Sequence, residues 1–197
     1  MARPPSLRAT VQWLALLALL ALLLGSPGAS SAATTEAVPA YVQQALPQAR
    51  LAGQGVFTWW GMTIYQASLW VGPAGYRPAA PTVAPFVLDL RYARALNGRK
   101  IAEASADQME KIGAGSPAQR QAWLQQMLTI FPDVKEGNHI AGLYLPDGGV
   151  RFYLDGKLLA EVADVDFARA FFAIWLDPAT TGKELRQSLL ADAGARP

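Results

Sequence analysis

Few residues in this sequence can supply acid–base, nucleophilic or metal-binding chemistry. The 197 residues contain a single histidine, His139, and no cysteine, which excludes thiol catalysis, iron–sulfur clusters and cysteine-bound zinc. A catalytic triad or metal centre that uses histidine would depend on His139 alone, and we interpret this residue as a partly exposed turn residue at a strand start. Gly53 and Gly55 lack the third glycine and the following helix of a dinucleotide-binding loop. We therefore expect no cofactor and no metal.

Asp164 and Asp166 can be interpreted as a pair of carboxylates for acid–base catalysis. Asp166, however, comes directly before the apolar run "FARAFFAIW". An acidic residue at the start of a helix accepts hydrogen bonds from the backbone N–H groups that are free there. We therefore predict that Asp166 caps a helix.

One arginine is placed to bind an anion. Phe86, Leu88, Leu90 and Tyr92 alternate along a predicted strand, and continuing this alternation puts Arg94 on the same apolar face. A cation beside a phenol at the edge of an apolar wall can hold a carboxylate or enolate by charge-assisted hydrogen bonds. Alternatively, Arg94 pairs with a carboxylate of a helix, or its stem covers apolar surface while its charge reaches water.

The pattern of apolar residues predicts the elements that must position these side chains. Strand signals and helix signals alternate in groups along the chain, and turn residues such as Asp155-Gly156 separate the later strands. The predicted strands cover 51–57, 62–71, 86–94, 139–146, 150–154 and 157–162, and the predicted helices cover 97–113, 116–132, 166–177 and 181–193. Ser116 with Gln119, and Thr181 with Glu184, are predicted capping boxes. This order predicts an α+β fold, an antiparallel β-sheet covered on one face by a helical layer.

The aromatic-rich strand 62–71 has two alternating faces, and their alternation alone leaves open which one points inward. The more apolar face consists of Tyr65, Ala67, Leu69 and Val71. The mixed face consists of Met62, Ile64, Gln66, Ser68 and Trp70, and it is the better suited of the two to a ligand wall.

Residues 1–32 have the pattern of a secretory signal peptide. Arg3 and Arg8 precede a short apolar run from Val11 to Leu24, and small residues follow. The run is shorter than the roughly 20 residues of a membrane span, although an uncleaved anchor is the alternative. We expect residues 33–50 to lead into one domain at 51–191, in a periplasmic or secreted protein. Without Arg3 and Arg8, the 17 basic residues become 15 against 15 acidic ones, so we expect no nucleic-acid binding. Because cleavage also removes the apolar run, we expect no stable membrane span in the mature chain.

Five segments, in the same order along the chain, resemble the chalcone isomerase-like family and, more closely, its bacterial secreted branch. They are "LAGQGVFTWWGMTIYQASLWV", "LRYARALNGRKIAEAS", "W…FPDVKEGNHIAGLYLP", "FYLDGKLLAEV" and "FARAFFAIWLDPATTGKELRQSLL". The resemblance implies a large antiparallel sheet with a helical layer, and ligands in the cleft between them.

The resemblance carries over less completely at the residues that act on ligands. Plant chalcone isomerases have an arginine in a G-x-G-V-R pattern, which fatty-acid-binding relatives keep for the ligand carboxylate, and this chain has Phe57 there. The isomerases' tyrosine after L-T-G-x-x corresponds to Ile101. The tyrosine that helps to hold a fatty-acid carboxylate in the relatives corresponds to Trp70 when counted without gaps. The resemblance thus implies a candidate ligand site at Phe57, Trp70 and Ile101, to which Tyr92 and Arg94 add a polar end.

Phe57 and Ile101 offer no donor for the negative charge that develops on oxygen when a chalcone cyclises. We therefore predict a non-catalytic exported protein that binds a small apolar ligand such as a fatty acid. Two alternatives are an intramolecular lyase of the chalcone isomerase type and an interaction module whose cleft is filled by its own side chains. The pattern leaves the oligomeric state open.

The mature chain is expected to begin close to Ala33 or Thr34, because the apolar run is too short for an anchor and is followed by small residues. N-terminal sequencing of protein recovered from the periplasmic fraction measures this directly. Recovery of the full-length chain in the membrane fraction would favour the uncleaved anchor instead.

Overall fold

The structure is a computed structural model that describes residues 37–194. The predicted signal peptide and its cleavage site lie outside the described residues. No helix within 37–194 is long and apolar enough to cross a membrane.

Six antiparallel strands form a single sheet in which each strand pairs with its sequence neighbours. The strands are β1 Arg50–Trp59, β2 Met62–Val71, β3 Phe86–Tyr92, β4 His139–Leu145, β5 Gly149–Leu154 and β6 Lys157–Val162. The helices are α1 Ala40–Ala45, α2 Gly98–Lys111, α3 Pro117–Ile130, α4 Val165–Leu176 and α5 Lys183–Leu189. The predicted α+β fold is confirmed.

Two of the hairpins close with two-residue turns whose residues have positive φ. Trp60 (φ 50°) and Gly61 (φ 74°) join β1 to β2, and Asp155 (φ 49°) and Gly156 (φ 79°) join β5 to β6. Two-residue loops with positive φ at both positions match the right-handed twist of the strands they join. These short connections keep the neighbouring strands antiparallel and in sequence order.

The helical layer packs on one face of the sheet through a large apolar core. Ser116 begins α3 with the predicted capping box: its hydroxyl accepts from Gln119 N at 3.2 Å, and Gln119 Oε1 accepts from Ser116 N at 2.9 Å. This capping box therefore fixes the point at which α3 begins.

The caps of the last two helices differ from the prediction. Asp164 rather than Asp166 caps α4, because the helix begins at Val165 and Asp164 is the extended residue before it. Its carboxylate accepts from Phe167 N at 2.9 Å and from the indole Nε1 of Trp123 at 3.0 Å, which ties α3 to α4. The predicted box of Thr181 and Glu184 is also wrong, since Gly182 is the N-cap of α5 and makes no side-chain cap.

The other face of the sheet carries a smaller apolar cluster. The lead-in segment forms the six-residue helix α1, whose Val42 packs into this cluster with Trp70 and Val87. This arrangement shows which face of β2 points toward the helical layer. Ala67, Leu69 and Val71 lie in the core under the helices, whereas Trp70 lies in the cluster on the other face.

Gly53 lets α5 lie directly on β1. A Cβ atom at this position would collide with the backbone carbonyl groups of Ser188 and Leu189. Just beyond the helix, Asp192 N donates to Ala52 O at 2.7 Å. Gly53 is therefore a packing residue at the contact between sheet and helix.

The substitution Gly53→Ala is expected to lower the free energy of unfolding by about 1 to 3 kcal/mol, because the added methyl group must push α5 away from β1. Gly72→Ala is the matched control, since a Cβ there meets only Leu46 Cδ1 at an ordinary 3.5 Å. Chemical denaturation of both variants measures the difference. Equal stability of the two would contradict the proposed close approach.

Candidate functional site

A cavity of about 380 Å³ lies between the sheet and the helical layer. This volume is in the lower part of the range, about 300 to 1,000 Å³, that is typical of small-molecule sites. The sheet strands form one wall, α2 and α4 form another, and the segment before α5 closes the end. Its lining residues are Phe57, Trp59, Ile64, Tyr65, Leu90, Tyr92, Leu96, Lys100, Ile101, Ala104, Ser105, Asp107, Gln108, Lys111, Phe131, Ile140, Phe171, Ile174, Trp175, Thr180, Thr181, Gly182 and Leu185.

Three aromatic side chains cross the sheet wall in a row. Phe57 on β1 is paired with Tyr65 on β2, and Tyr65 is paired with Tyr92 on β3. The rings of Phe57 and Tyr65 are stacked with their centroids 5.1 Å apart, and the rings of Tyr65 and Tyr92 meet edge to face at 6.0 Å. Such contacts between aromatic rings add to the stability that their burial provides, so they help to hold the three rings in this arrangement.

The polar groups of the interior include two phenols, an indole and two hydroxyls. The hydroxyls of Ser105 and Thr180 donate to backbone carbonyls, Ile101 O at 2.8 Å and Ile174 O at 2.6 Å. Trp175 Nε1, on α4, donates to Tyr65 Oη at 3.0 Å. The hydroxyl of Tyr92, a residue only 3% exposed, has no hydrogen-bond partner within residues 37–194. Burial raises the pKa of Tyr65 to about 12, an effect that the hydrogen bond from Trp175 offsets only in part. Burial and, less strongly, the neighbouring Tyr65 raise the pKa of Tyr92 as well. Both phenols are therefore neutral at physiological pH.

Charged groups are confined to the mouth of the cavity, along α2. Lys111 Nζ lies 2.7 Å from Asp107 Oδ2 and is paired with it. The Thr181 hydroxyl donates to Gln108 Oε1 at 2.6 Å and joins the loop between α4 and α5 to α2. Lys100 is exposed and has no acidic partner within the described residues. It is the cation at the mouth that is available to an anionic group.

The five residues of the predicted ligand site lie in three different places. Phe57, Tyr92 and Ile101 line the cavity. Trp70 does not, because it has the opposite side-chain direction to Tyr65 on β2 and lies in the cluster beneath α1 at 1% exposure. Arg94 is outside the lining as well.

Arg94 departs from the predicted alternation because β3 ends at Tyr92. The chain bends there, and Ala93 N donates to Ile64 O at 2.9 Å. The guanidinium of Arg94 then lies against Met62, with Nη1 2.9 Å from Sδ. Extrapolating the strand by two residues therefore does not give the direction of the Arg94 side chain.

A family model described as chalcone isomerase-like matches residues 32–191. The chain belongs to the chalcone isomerase-like family. A solved structure with the same fold is that of the Arabidopsis thaliana fatty-acid binding protein AtFAP1, which is 13% identical, with a TM-score of 0.59 and coverage of 75% of this chain and 89% of that one. A search of curated proteins found no match.

Tyr65, Trp175 and Lys100 complete the site of this chalcone isomerase-like protein, and sequence reasoning missed all three. Tyr65 faces Phe57 only because a bulge between Phe57 and Thr58 shifts the pairing of β1 with β2, and no residue pattern marks this bulge. Trp175 lies four residues after Phe171 in an apolar helix, a spacing that indicates burial but not a hydrogen bond. Lys100 carried no signal beyond its position in the first turn of a predicted helix.

On the opposite face of the sheet, His139 and Asp89 form a pair that is separate from the cavity. His139 begins β4, as predicted, and its Nδ1 lies 2.9 Å from Asp89 Oδ2 on β3. Asp89 is only 5% exposed. The hydrogen bond with Asp89 raises the pKa of His139, although partial burial opposes this shift. No group of three or more acidic or histidine side chains within residues 37–194 is placed to hold a metal ion.

The single imidazole of this protein is expected to titrate above the usual value of about 6.5. NMR of His139 measures this pKa, and Asp89→Asn should lower it. Because the folded-state pKa is the higher one, the stabilisation by the pair is complete below about pH 6.5 and is lost as the pH rises through the folded-state pKa. His139→Gln should remove this pH dependence of unfolding. A wild-type pKa at or below 6.5 would contradict the pairing.

Proposed function

We propose that this protein binds a small apolar ligand, such as a fatty acid, in the cavity between sheet and helices, and that it is not an isomerase. The observation that carries the proposal is the cavity itself: about 380 Å³ in volume, walled by aromatic and aliphatic side chains, with polar groups at a few places only. Small-molecule sites have this composition. The similarity in fold to AtFAP1, a fatty-acid binding protein, supports the same function.

The energy for binding an alkyl chain comes from the apolar walls. Each methylene group that moves from water into such a cavity contributes about 0.8 kcal/mol. The walls are already assembled around Phe57, Tyr65 and Tyr92, so little side-chain ordering is needed when the ligand enters. An interaction module filled by its own side chains is disfavoured because these rings leave space between the sheet and α2.

The residues at the positions of the isomerase donors support binding over catalysis. Phe57 and Ile101 both line the cavity, and neither can stabilise negative charge that develops on a substrate oxygen. Losing one such donor usually costs about a hundredfold or more in rate. No arginine is among the described lining residues, so no other guanidinium compensates for Phe57.

The carboxylate of a fatty acid would lie at the mouth, close to Lys100. An ionised carboxylate in the interior would lose its hydration without gaining a cation, which is costly. At the mouth it keeps contact with water and gains the positive charge of Lys100. We also propose that the protein acts outside the cytoplasm, as a member of the family's bacterial secreted branch, on the basis of the signal-peptide pattern in residues 1–32.

The purified protein is expected to bind dodecanoate saturably, and Ile101→Trp should weaken this binding at least tenfold because the larger ring occupies the cavity. Ile112→Trp is the matched control, since Ile112 follows α2 but does not line the cavity. Isothermal titration calorimetry measures both affinities. Lys100→Met should weaken binding of dodecanoate more than Arg94→Met does, because only Lys100 lies at the mouth.

Two outcomes would contradict the proposed function. One is the absence of saturable binding of any alkyl ligand to the wild-type protein. The other is chalcone turnover, followed by absorbance, on the order of 1 per second or more, which is within the range of ordinary enzymes.

A further inference from the structure

The interior of the cavity contains two hydrogen-bond donors that have no acceptor within the described part of the protein. The hydroxyl oxygen of Tyr65 accepts a hydrogen bond from Trp175 Nε1. The phenolic proton of Tyr65 therefore points elsewhere, and residues 37–194 provide no acceptor for it. The hydroxyl of Tyr92 likewise has no partner there. Both side chains line the same cavity.

The two rings that carry these donors are neighbours on the sheet. Tyr65 and Tyr92 are cross-strand partners whose rings meet edge to face at 6.0 Å. The indole of Trp175 holds the oxygen of Tyr65 from the α4 side. A carbonyl oxygen has two lone pairs and can accept from two donors at once, so one ligand oxygen within reach of both hydroxyls would satisfy both.

A saturated alkyl chain would leave these donors without a partner. Water can accept from both phenols while the cavity holds solvent, but a ligand that displaces this water must supply an acceptor or lose those hydrogen bonds. A buried donor without an acceptor destabilises the complex. The interior therefore disfavours a plain hydrocarbon tail beside the phenols, relative to a tail that carries an oxygen there.

We propose that the preferred ligand is an oxygenated fatty acid, with an apolar chain that carries an uncharged oxygen acceptor, such as a ketone, at a distance from its carboxylate. The chain oxygen accepts from Tyr65 and Tyr92, and the carboxylate stays at the mouth beside Lys100. This inference rests on the proposed function and names the ligand class for the same cavity. A second ionised group is excluded from the interior because no cation lies beside the phenols.

The experiment compares dodecanoate with a set of its mono-oxo derivatives, in which the ketone occupies successive carbons along the chain. Titration calorimetry is carried out on the wild-type protein and on Tyr65→Phe, Tyr92→Phe and Tyr144→Phe. Each substitution removes only a hydroxyl group. Tyr144→Phe is the matched control, because Tyr144 is a buried tyrosine that does not line this cavity.

At least one oxo derivative is expected to bind the wild-type protein roughly three- to tenfold more tightly than dodecanoate, as for one or two hydrogen bonds between neutral groups. Tyr92→Phe and Tyr65→Phe should each reduce this preference. The oxo derivative loses a donor, whereas dodecanoate no longer leaves that donor without an acceptor and should bind at least as tightly as it binds to the wild-type protein. Tyr144→Phe should keep the preference. Dependence on the position of the ketone would support a fixed distance between the mouth and the phenols.

Two results would overturn the inference while leaving the proposed function intact. In the first, dodecanoate and every oxo derivative bind equally tightly. In the second, the phenylalanine substitutions at Tyr65 and Tyr92 weaken dodecanoate as much as the oxo derivatives, which would place the carboxyl group itself at the phenols. Failure of every chain to bind would overturn the proposed function and this inference together.

Discussion

The hydrogen bond from the Trp175 indole to the Tyr65 hydroxyl joins the helical layer to the sheet at the edge of the cavity. An apolar void in a protein core is unfavourable, and it persists only where the surrounding groups cannot move in to fill it. Here Tyr65 is held by Phe57 on one side and Tyr92 on the other, while Trp175 packs against Phe171 on α4. These rigid rings and their one hydrogen bond keep α4 at a fixed distance from β2, so the space between them stays open.

One face of the sheet borders the helical layer and the cavity, and the other face packs against α1. The side chains of β2 alternate between these two faces. Tyr65, Ala67 and Leu69 point toward the helices, whereas Trp70 points toward α1 and packs there with Val42. The apolar cluster beneath α1 stabilises the sheet from behind without contributing to the cavity. The Asp89–His139 pair lies on strands β3 and β4 away from the cavity lining. The cluster beneath α1 and the cavity are therefore built from different side chains of the same strands.

Much of the fold could be predicted from local patterns, because strand alternation, turn residues and helix caps act over a few neighbouring residues. The capping box at Ser116 and the Asp155-Gly156 turn are examples. The site was harder to predict because it depends on how strands pair and where they end. Three of the predicted site residues, Phe57, Tyr92 and Ile101, line the cavity. Other positions depended on the end of β3 before Arg94 and on the bulge next to Phe57, which leave no mark in the sequence.

The family resemblance implies a site with an arginine in its interior. In this cavity Phe57 takes that position, and a cation without an acidic partner in residues 37–194, Lys100, lies at the mouth. An interior arginine fixes the position of a ligand carboxylate and stabilises negative charge, so it serves both binding and catalysis. Phe57 removes that charge from the interior, and Lys100 provides one at the mouth, where water screens it. Two of the polar groups inside, the phenols of Tyr65 and Tyr92, are neutral donors with raised pKa values. Neutral donors in apolar surroundings can hold an uncharged oxygen atom without favouring the build-up of charge on it, and this chemistry suits the proposed binding of a ligand better than catalysis.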